Sequence, residues 1–241
     1  MKKVARPITL TSLKREVRDL ADQRVAKTNQ WFFKTGPGDY GEGDHFLGLR
    51  IPALRALTKK YRALDYTDAV ELLKSEWHEE RVLALMLLVD KYDRGDDRQK
   101  DRVHRAYLKN TRRINNWDLV DVSAAHIVGA HLAASNIRLL VELAASKNLW
   151  ERRIAIVATY HFIRQGEFRP TLRISELLLR DSHDLIHKAV GWMLREVGKR
   201  DRAVLDSFLM KHYARMPRTM LRYSIERHPE KLRKAYLLGT A

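Results

Sequence analysis

The sequence has no cysteine among its 241 residues and no apolar run long enough to cross a bilayer. The missing cysteines exclude disulfides, iron–sulfur clusters, thiolate zinc sites and a cysteine nucleophile. The first ten residues are basic, but they lack the apolar stretch and the small-residue cleavage site of a signal peptide. We therefore expect a cytoplasmic protein with no membrane partner.

Acidic residues are also few relative to basic ones. The 46 Lys and Arg against 30 Asp and Glu give a formal charge of +16. An excess of this size repels itself unless an anion binds it, and nucleic acid is the commonest such anion. Arginine outnumbers lysine, which suits forked contacts to phosphate. The charge therefore favours nucleic-acid binding, and the alternative is a basic protein that is merely soluble and adhesive.

The N-terminal part of the chain is predicted to be helical after a short arm. Residues 1–10 are interpreted as a flexible basic arm, and residues 11–241 as a single helical-repeat domain. Thr11 or Ser12 is a candidate N-cap for the first helix. A second helix is predicted to end at about Phe33.

Two short patterns resemble cofactor or metal motifs but lack the context that those motifs need. Gly36–Asp44 matches G-x-G-x-x-G, yet a helix precedes it and acidic residues lie within it, so we interpret it as a flexible loop. His183 and His187 are four residues apart, as in zinc proteases. Asp184 follows the first of them where glutamate is needed, and no third ligand follows. We expect neither a metal nor an organic cofactor.

After Gly48 the sequence repeats with a period of about 35 residues, which is the range of helical repeats. Six amphipathic segments begin at Arg50, Arg81, Trp117, Arg153, Lys188 and Arg222. Other helical runs lie between them, for example at 98–108 and 137–145, and no segment alternates as a strand does. The sequence therefore predicts an all-α fold, a solenoid of HEAT-like or armadillo-like helix pairs with a concave basic groove.

Aligning the repeats produces two columns one helical turn apart. The first contains five cations and one tryptophan, at Arg50, Arg81, Trp117, Arg153, Lys188 and Arg222. The second contains Leu54, Leu85, Asp121, Val157, Trp192 and Glu226. Equivalent positions of a solenoid line one continuous face. We therefore predict that four residues converge on one surface with cations above and below, namely Trp117, Asp121, Arg153 and Trp192.

A carboxylate on a DNA-binding face indicates chemistry in which positive charge develops. Asp121 would stabilise the oxocarbenium-like sugar that forms when an N-glycosidic bond breaks, and it would orient water. Trp117 and Trp192 could stack on bases, pack on sugars or attract a cationic group. A base that is already positive leaves without a second acid, and Lys188 is better interpreted as a phosphate contact than as a Schiff-base lysine. These features favour monofunctional hydrolysis over a lyase reaction.

Each of these residues also has a structural interpretation. Trp117 and Trp192 could be core residues, Asp121 could only pair with an arginine, and Arg153 could be solvated or part of a cap. Two other classes of function also fit the charge. One is a non-catalytic protein that binds branched or distorted DNA, and the other is a helical scaffold for an acidic protein.

Four motifs resemble those of the bacterial AlkD-type DNA alkylation repair glycosylases. They are FLGLRIP at 46–52, NWDLVD at 116–121, WERR at 150–153 and AVGWMLRE at 189–196. The resemblance covers the chain from about Thr11 to Lys234. It implies a HEAT-like repeat enzyme that excises cationic N3- and N7-alkylpurines, such as 3-methyladenine and 7-methylguanine, from duplex DNA. A groove of this type needs no dimer, so we expect a monomer. Members of this family use no metal or cofactor and need not flip the damaged base into a pocket.

The resemblance also implies roles for single residues. Trp117 and Trp192 would contact the deoxyribose of the lesion, and Asp121 would be the catalytic carboxylate. Arg153 would hold a phosphate near the lesion, and Arg195 would support DNA binding. The further DNA contacts expected from the cation column are Arg50, Arg81, Lys188 and Arg222. Bound to DNA, such a cytoplasmic protein would be associated with the nucleoid.

Overall fold

The computed structural model describes residues 8–133 and 135–240, and it contains helices and turns but no β-strand there. The predicted all-α class is confirmed. Within the same ranges no helix is both long and apolar enough to span a bilayer. The predicted flexible arm lies outside the described residues up to Pro7, and a helix already begins at Leu10. The solenoid and its concave groove stay predictions.

The described chain divides into two compact units, and the first ends at Ser123. In the first unit α5 is central, because it packs against α3, α4, α6 and α7. The helices of this unit are α1 (Leu10–Asp19), α2 (Gln23–Phe32), α3 (Ile51–Lys60), α4 (Tyr66–Leu72), α5 (His78–Arg94), α6 (Asp97–Lys109) and α7 (Trp117–Asp121).

The second unit begins at Ala124 with a π-helical turn at Ala125–Gly129. In this unit α12 packs against α9, α11, α13 and α14. Its helices are α8 (Arg138–Ala144), α9 (Leu149–Ala158), α10 (Tyr160–Arg164), α11 (Arg169–Leu177), α12 (Asp184–Gly198), α13 (Arg202–His212), α14 (Arg218–Ser224) and α15 (Glu230–Leu238).

The first helix begins earlier than its sequence pattern predicts. Thr9 is the N-cap, and its hydroxyl oxygen accepts the Ser12 amide at 3.1 Å. The Ser12 hydroxyl in turn accepts the Thr9 amide at 3.1 Å, which completes a capping box. The predicted cap at Thr11 or Ser12 was therefore wrong, because Ser12 occupies the third helical position of the box.

Helix α5 begins with a specific set of hydrogen bonds. The Ser75 hydroxyl accepts the Trp77 amide at 3.1 Å and donates to Glu80 at 2.6 Å. The Arg81 guanidinium donates to the carbonyls of Ser75 and Glu76, at 3.0 and 3.1 Å. These bonds fold the chain back onto the first turn, so that the helix starts at a defined residue.

Helix α9 begins in the same way. The Ser146 hydroxyl accepts the Asn148 amide at 3.0 Å and donates to Glu151 at 2.5 Å. The Arg152 guanidinium donates to the carbonyls of Ser146 and Lys147, both at 3.1 Å. Arg152 therefore binds the turn before α9 in the same way as Arg81 binds the turn before α5.

Helix α12 uses other side chains for a related turn. The Asp181 carboxylate accepts the His183 amide at 2.8 Å, and its carbonyl contacts His187 Nε2 at 2.5 Å. His183 is the N-cap, and its Nδ1 accepts the Leu185 amide at 3.1 Å. Both histidines are thus bound to the backbone of this turn, which explains their spacing without a metal.

These turns give the helices a register that corrects the one predicted from sequence. Counted from the N-caps, Arg81 is equivalent to Arg152 and not to Arg153. The fifth residues after the caps are Val82, Asp121, Arg153, Lys188 and Arg222. Asp121, not Trp117, therefore occupies the position that is a cation in the three later helices. The predicted alignment was consistent for the last three repeats and shifted for Arg50, Arg81 and Trp117, since Arg50 is itself the N-cap of α3.

Gly191 allows α12 and α14 to approach closely. A Cβ atom there would lie 2.4 Å from Tyr223 Cβ and 2.6 Å from the Met220 carbonyl oxygen. We expect Gly191→Ala to lower the free energy of unfolding by about 1–3 kcal/mol, because the helices must separate. Urea unfolding measures this, with Gly36→Ala as the control, since its new Cβ would meet only the Asp39 side chain at 3.1 Å. Equal stability of the two variants would contradict the close approach.

Candidate active site

The short helix α7 carries the first two candidate residues. Its N-cap, Asn116, is fully buried, and the side chain accepts the Trp117 amide at 2.8 Å. Trp117 opens the helix and Asp121 closes it, one turn later, and both are partly exposed. The residues between them are buried. The predicted helix therefore exists, and it presents an indole and a carboxylate to solvent from an otherwise buried turn.

The Trp117 ring is fixed by an aromatic cluster. Phe33 stacks on it with ring centroids 5.1 Å apart and an angle of 21° between the planes. Phe32 meets it edge-on at 5.9 Å. Phe33 also stacks on Phe46 at 5.1 Å and lies 5.0 Å from the ring of His78. Trp117 is thus partly a packing residue, as its structural interpretation proposed, and its remaining surface is held in one orientation.

A chain of buried charges underlies this cluster. His78 Nδ1 lies 2.9 Å from Asp44 Oδ2, and His78 Nε2 lies 2.8 Å from Asp118 Oδ2. Asp44 also binds the Arg81 guanidinium through its other oxygen. All four residues are less than 9% exposed. The imidazole therefore joins the end of the 36–44 loop, the first turn of α5 and the first turn of α7.

The geometry of this chain keeps His78 protonated. Burial alone would favour the neutral ring, but the charges of Asp118 and Asp44 and their hydrogen bonds raise the pKa of His78 to about 9. The pKa of Asp44 is lowered. Burial opposes this change, and the hydrogen bond from His78 and the charge of Arg81 outweigh it. At neutral pH Asp44 is therefore bound to two cations, His78 and Arg81. His78 is also bound to Asp118.

Glu79 holds the segment that follows the loop. Its buried carboxylate accepts the backbone amides of Leu47, Gly48 and Leu49, at 2.9, 2.8 and 3.2 Å. These bonds fix the segment that follows the predicted flexible loop. The last residue of that loop, Asp44, is itself bound to His78 and Arg81, and the flexibility of residues 36–43 stays a prediction.

Removal of the Glu79 charge should loosen this segment selectively. We expect Glu79→Gln to raise the hydrogen-exchange rates of the Leu47–Leu49 amides about tenfold or more, because hydrogen bonds to charged groups contribute about 1.5–3 kcal/mol each. Mass-spectrometric exchange of the peptide that covers this segment is the measurement. Glu80→Gln is the matched control, since Glu80 is also buried but contacts Ser75 and Arg18 instead. Unchanged exchange in Glu79→Gln would refute the anchor.

The predicted cation column is interrupted in the first unit. Arg50 is the exposed N-cap residue of α3, as a phosphate contact requires. Arg81 is only 3% exposed and is bound to Asp44 and to two backbone carbonyls. The expectation of a DNA contact by Arg81 is corrected accordingly: its charge neutralises a buried carboxylate that lies 37 residues away in sequence.

In the second unit Trp192 lies on α12 and is partly exposed. Its ring centroid is 6.3 Å from that of Tyr160, with an angle of 34° between the planes. The Arg200 guanidinium lies 5.7 Å from the Tyr160 centroid. Trp192 is thus neither a core residue nor isolated, because one neighbouring ring orients it and part of its surface stays in solvent.

The cations of the second unit differ in exposure. Arg153 is only 5% exposed, and its Nη1 donates to the Leu185 carbonyl at 2.7 Å. Lys188 is half-exposed and pairs with Asp184 at 2.7 Å. Arg195 is half-buried and forms an ion pair with Glu226. Arg222 is exposed. The expectation of an exposed cation row is therefore met by Arg222 and Lys188 and not by Arg153, which links α9 to α12.

No group of three or more histidine or acidic residues in the described ranges is arranged to hold a metal ion. The residues that sequence reasoning missed are His78, Asp44, Asp118 and the aromatic side chains around Trp117. The run Trp31-Phe32-Phe33 was visible as a signal, because three consecutive aromatic residues cannot all face the core from one helix. The charge chain had no such signal, since its members are far apart in sequence.

Helices that begin with equivalent turns and repeat along an all-α, strongly basic chain are features of helical-repeat proteins. The sequence profile of the family described as DNA alkylation repair enzyme matches residues 13–228. This chain therefore belongs to the family of DNA alkylation repair enzymes, as its motifs predicted.

The fold is also similar to a solved structure, described as a predicted DNA alkylation repair enzyme from Enterococcus faecalis. The two share 15% sequence identity with a TM-score of 0.67. The similarity covers 87% of this chain and 97% of the other. At this identity the likeness concerns the fold alone. A comparison with curated protein sequences found no match.

Proposed function

We propose that the protein is a monofunctional DNA glycosylase that hydrolyses the N-glycosidic bond of cationic N3- and N7-alkylpurines in duplex DNA. The observation that carries the proposal is the placement of Asp121, a partly exposed carboxylate one turn from a fixed tryptophan on α7. It occupies the helix position where later helices have Arg153, Lys188 and Arg222. The negative charge of Asp121 is unfavourable for binding phosphates, because the equivalent residues in later helices are cations. We therefore assign Asp121 a catalytic role.

The proposed reaction needs one carboxylate and one water molecule. As the bond from C1′ to N9 of the alkylated purine lengthens, positive charge moves from the purine to the sugar. Asp121 stabilises that charge, more strongly than it would in bulk water because it is partly buried. Water adds to C1′, the purine leaves as a neutral base, and one proton passes to Asp121 or to solvent. The leaving base needs no general acid, since it loses its positive charge on departure.

The two tryptophans are assigned to the sugar. We propose that Trp117 and Trp192 contact the deoxyribose of the lesion, with the base left in the duplex and not flipped into a pocket. Trp117 suits this role because Phe33 and Phe32 hold its ring in place. An indole face attracts a cation by about 1–2 kcal/mol when water is excluded, so it would also favour the charged sugar.

Phosphate contacts are assigned to the cations that solvent reaches. Arg50 and Arg222 are exposed, and Lys188 and Arg195 are partly exposed and pair with Asp184 and Glu226, respectively. Arg153 keeps its proposed phosphate contact through the 5% of its surface that solvent reaches. Arg81 is removed from this set. We propose that the enzyme acts as a monomer, with neither metal nor cofactor, on cytoplasmic DNA.

The decisive experiment is a base-release assay on duplexes that contain 7-methylguanine, 3-methyladenine or no lesion. We expect free alkylpurine from the first two substrates and none from the third, with an intact abasic strand that breaks only after alkali. Strand cleavage without alkali would indicate a lyase instead. Tight binding of a four-way junction without any base release would replace the glycosylase with a non-catalytic DNA-binding protein.

A further inference from the structure

Helix α2 leaves two large aromatic side chains in solvent. Trp31 is 81% exposed and Phe32 is 54% exposed, and the helix has no buried residue. Most large aromatic side chains of a folded protein bury most of their surface, and an exposed group of them marks an interaction site. This aromatic pair is not needed to hold the helix on the protein, because other contacts do so.

Both ends of α2 are attached without the aromatic pair. At its start, the Asp22 amide donates to the Leu47 carbonyl at 3.0 Å. Gly48, in the left-handed region at φ +88°, approaches so closely that a Cβ would lie 2.0 Å from the Asp22 carbonyl oxygen. At its end, Phe33 packs between Phe46 and Trp117. The helix is therefore fixed in a position that keeps the Trp31 ring exposed.

The aromatic pair is continuous with the proposed active site. Phe32 contacts the Trp117 ring edge-on, at 5.9 Å between centroids. Phe32 thus connects the C-terminal end of α2 to Trp117 on α7, one turn from Asp121, and Trp31 precedes Phe32 in the sequence. Any duplex that places its sugar against Trp117 brings the neighbouring nucleotides to this surface.

A cation lies beside the aromatic pair at an unusual backbone position. Lys34 is exposed and has a φ of 52°, in the left-handed region, where glycine is the usual residue after a helix. Its amide donates to the Trp31 carbonyl at 3.3 Å, so the backbone of Lys34 is held at the last turn of α2. The left-handed conformation costs free energy for a residue with a Cβ atom. A positive charge here, together with exposed Arg24 and Lys27 on the same helix, suits an anionic partner.

We infer that Trp31 and Phe32 form a stacking surface for DNA next to the lesion, with Lys34 on the adjacent phosphate. The inference rests on the proposed function, because it takes duplex DNA as the partner. Aromatic faces accept any base, so the surface adds affinity without sequence preference, and it favours nucleotides whose stacking is already weakened. It would hold the duplex open beside Trp117 while the lesion stays in the helix.

The test compares Trp31→Ala with Leu238→Ala, which removes another apolar side chain that is 77% exposed. Fluorescence anisotropy with a fully paired duplex and with the same duplex carrying one unpaired base gives the dissociation constants. We expect Trp31→Ala to weaken binding of the second duplex roughly tenfold or more, and of the first less, because stacking on one base is lost. The slope of log Kd against log salt should not change, since no cation is removed. Trp31→Phe should restore most of the affinity.

Lys34→Gly separates charge from stacking. This variant should unfold at higher urea concentration than the wild type, because glycine adopts the left-handed conformation freely. It should also reduce the salt slope by about 0.9, the loss of one phosphate contact. If Trp31→Ala and Leu238→Ala bind both duplexes as the wild type does, the surface serves another partner and the inference is wrong.

The outcomes also separate this inference from the proposed reaction. If the wild type releases no alkylpurine while Trp31→Ala still weakens binding, the reaction is refuted and the DNA-stacking surface is retained. If the wild type releases alkylpurine and Trp31→Ala binds both duplexes normally, the reaction is retained and the surface is refuted.

Discussion

Asp121→Asn should reduce the rate of 7-methylguanine release by about 10²–10³-fold, the usual effect of removing one electrostatic group that acts on the transition state. The amide is nearly isosteric with the carboxylate but carries no charge to stabilise the sugar cation. DNA affinity should stay equal or rise slightly, since a negative charge near phosphates is removed. Single-turnover kinetics with enzyme in excess, together with anisotropy titrations on the same duplex, measure the two effects separately.

A matched variant controls for charge alone. Asp93→Asn changes the net charge by the same amount, on an exposed residue of α5 in the same compact unit. It should release base at the wild-type rate. A loss of activity in Asp121→Asn that is matched by an equal loss of DNA affinity would mean that Asp121 supports binding or folding and not the chemical step. Full activity of Asp121→Asn would exclude it as the catalytic carboxylate.

His78→Gln should destabilise the first unit and remove a pH dependence of its stability. The folded-state pKa of His78 is about 9 against an ordinary value of 6.5. Because the folded state binds this proton more tightly, the stabilisation is complete below pH 6.5 and is lost as the pH rises towards 9. The shift corresponds to about 3 kcal/mol of unfolding free energy at low pH. The neutral amide of glutamine leaves Asp118 and Asp44 without their shared cation, which is costly for buried carboxylates.

Urea unfolding at pH 6, 7.5 and 9 measures this effect. The wild type should lose stability across the series, whereas the stability of His78→Gln should be lower at pH 6 and nearly constant. His45→Gln is the control, because His45 is exposed and should leave the pH dependence unchanged. A wild-type stability that does not fall between pH 6 and 9 would contradict the buried imidazolium. Base release by His78→Gln should also fall, since α7 rests on the bond from His78 to Asp118.

Much of the fold was predictable because it depends on local periodicity. The helical runs at 98–108 and 137–145 correspond to α6 and α8, since apolar residues at helical spacing and polar breaks are encoded within each segment. The N-cap of the first helix lies two or three residues before the predicted Thr11 or Ser12. Thr9 is the N-cap instead of Thr11 because its capping box with Ser12 provides hydrogen bonds to two backbone amides.

The candidate site was only partly predictable for a different reason. Trp117 and Asp121 lie within one helical turn, so their spacing alone placed them together on α7. Arg81 is buried because it pairs with Asp44, and Arg153 is buried where it binds the Leu185 carbonyl. Neither partner is close in sequence. The sequence pattern of an amphipathic helix is the same whether its arginine is exposed to solvent or forms a buried ion pair.

By itself, the sequence determined the all-α class, the basic charge, the family and the presence of a tryptophan and a carboxylate on one helical turn, because each depends on composition or on residues a few positions apart. Tertiary structure alone decided which cations remain in solvent and that His78 links a loop to α7 through two aspartates. These outcomes depend on hydrogen bonds between segments 32 to 40 residues apart. Burial and long-range pairing, not local pattern, set the energy of such contacts.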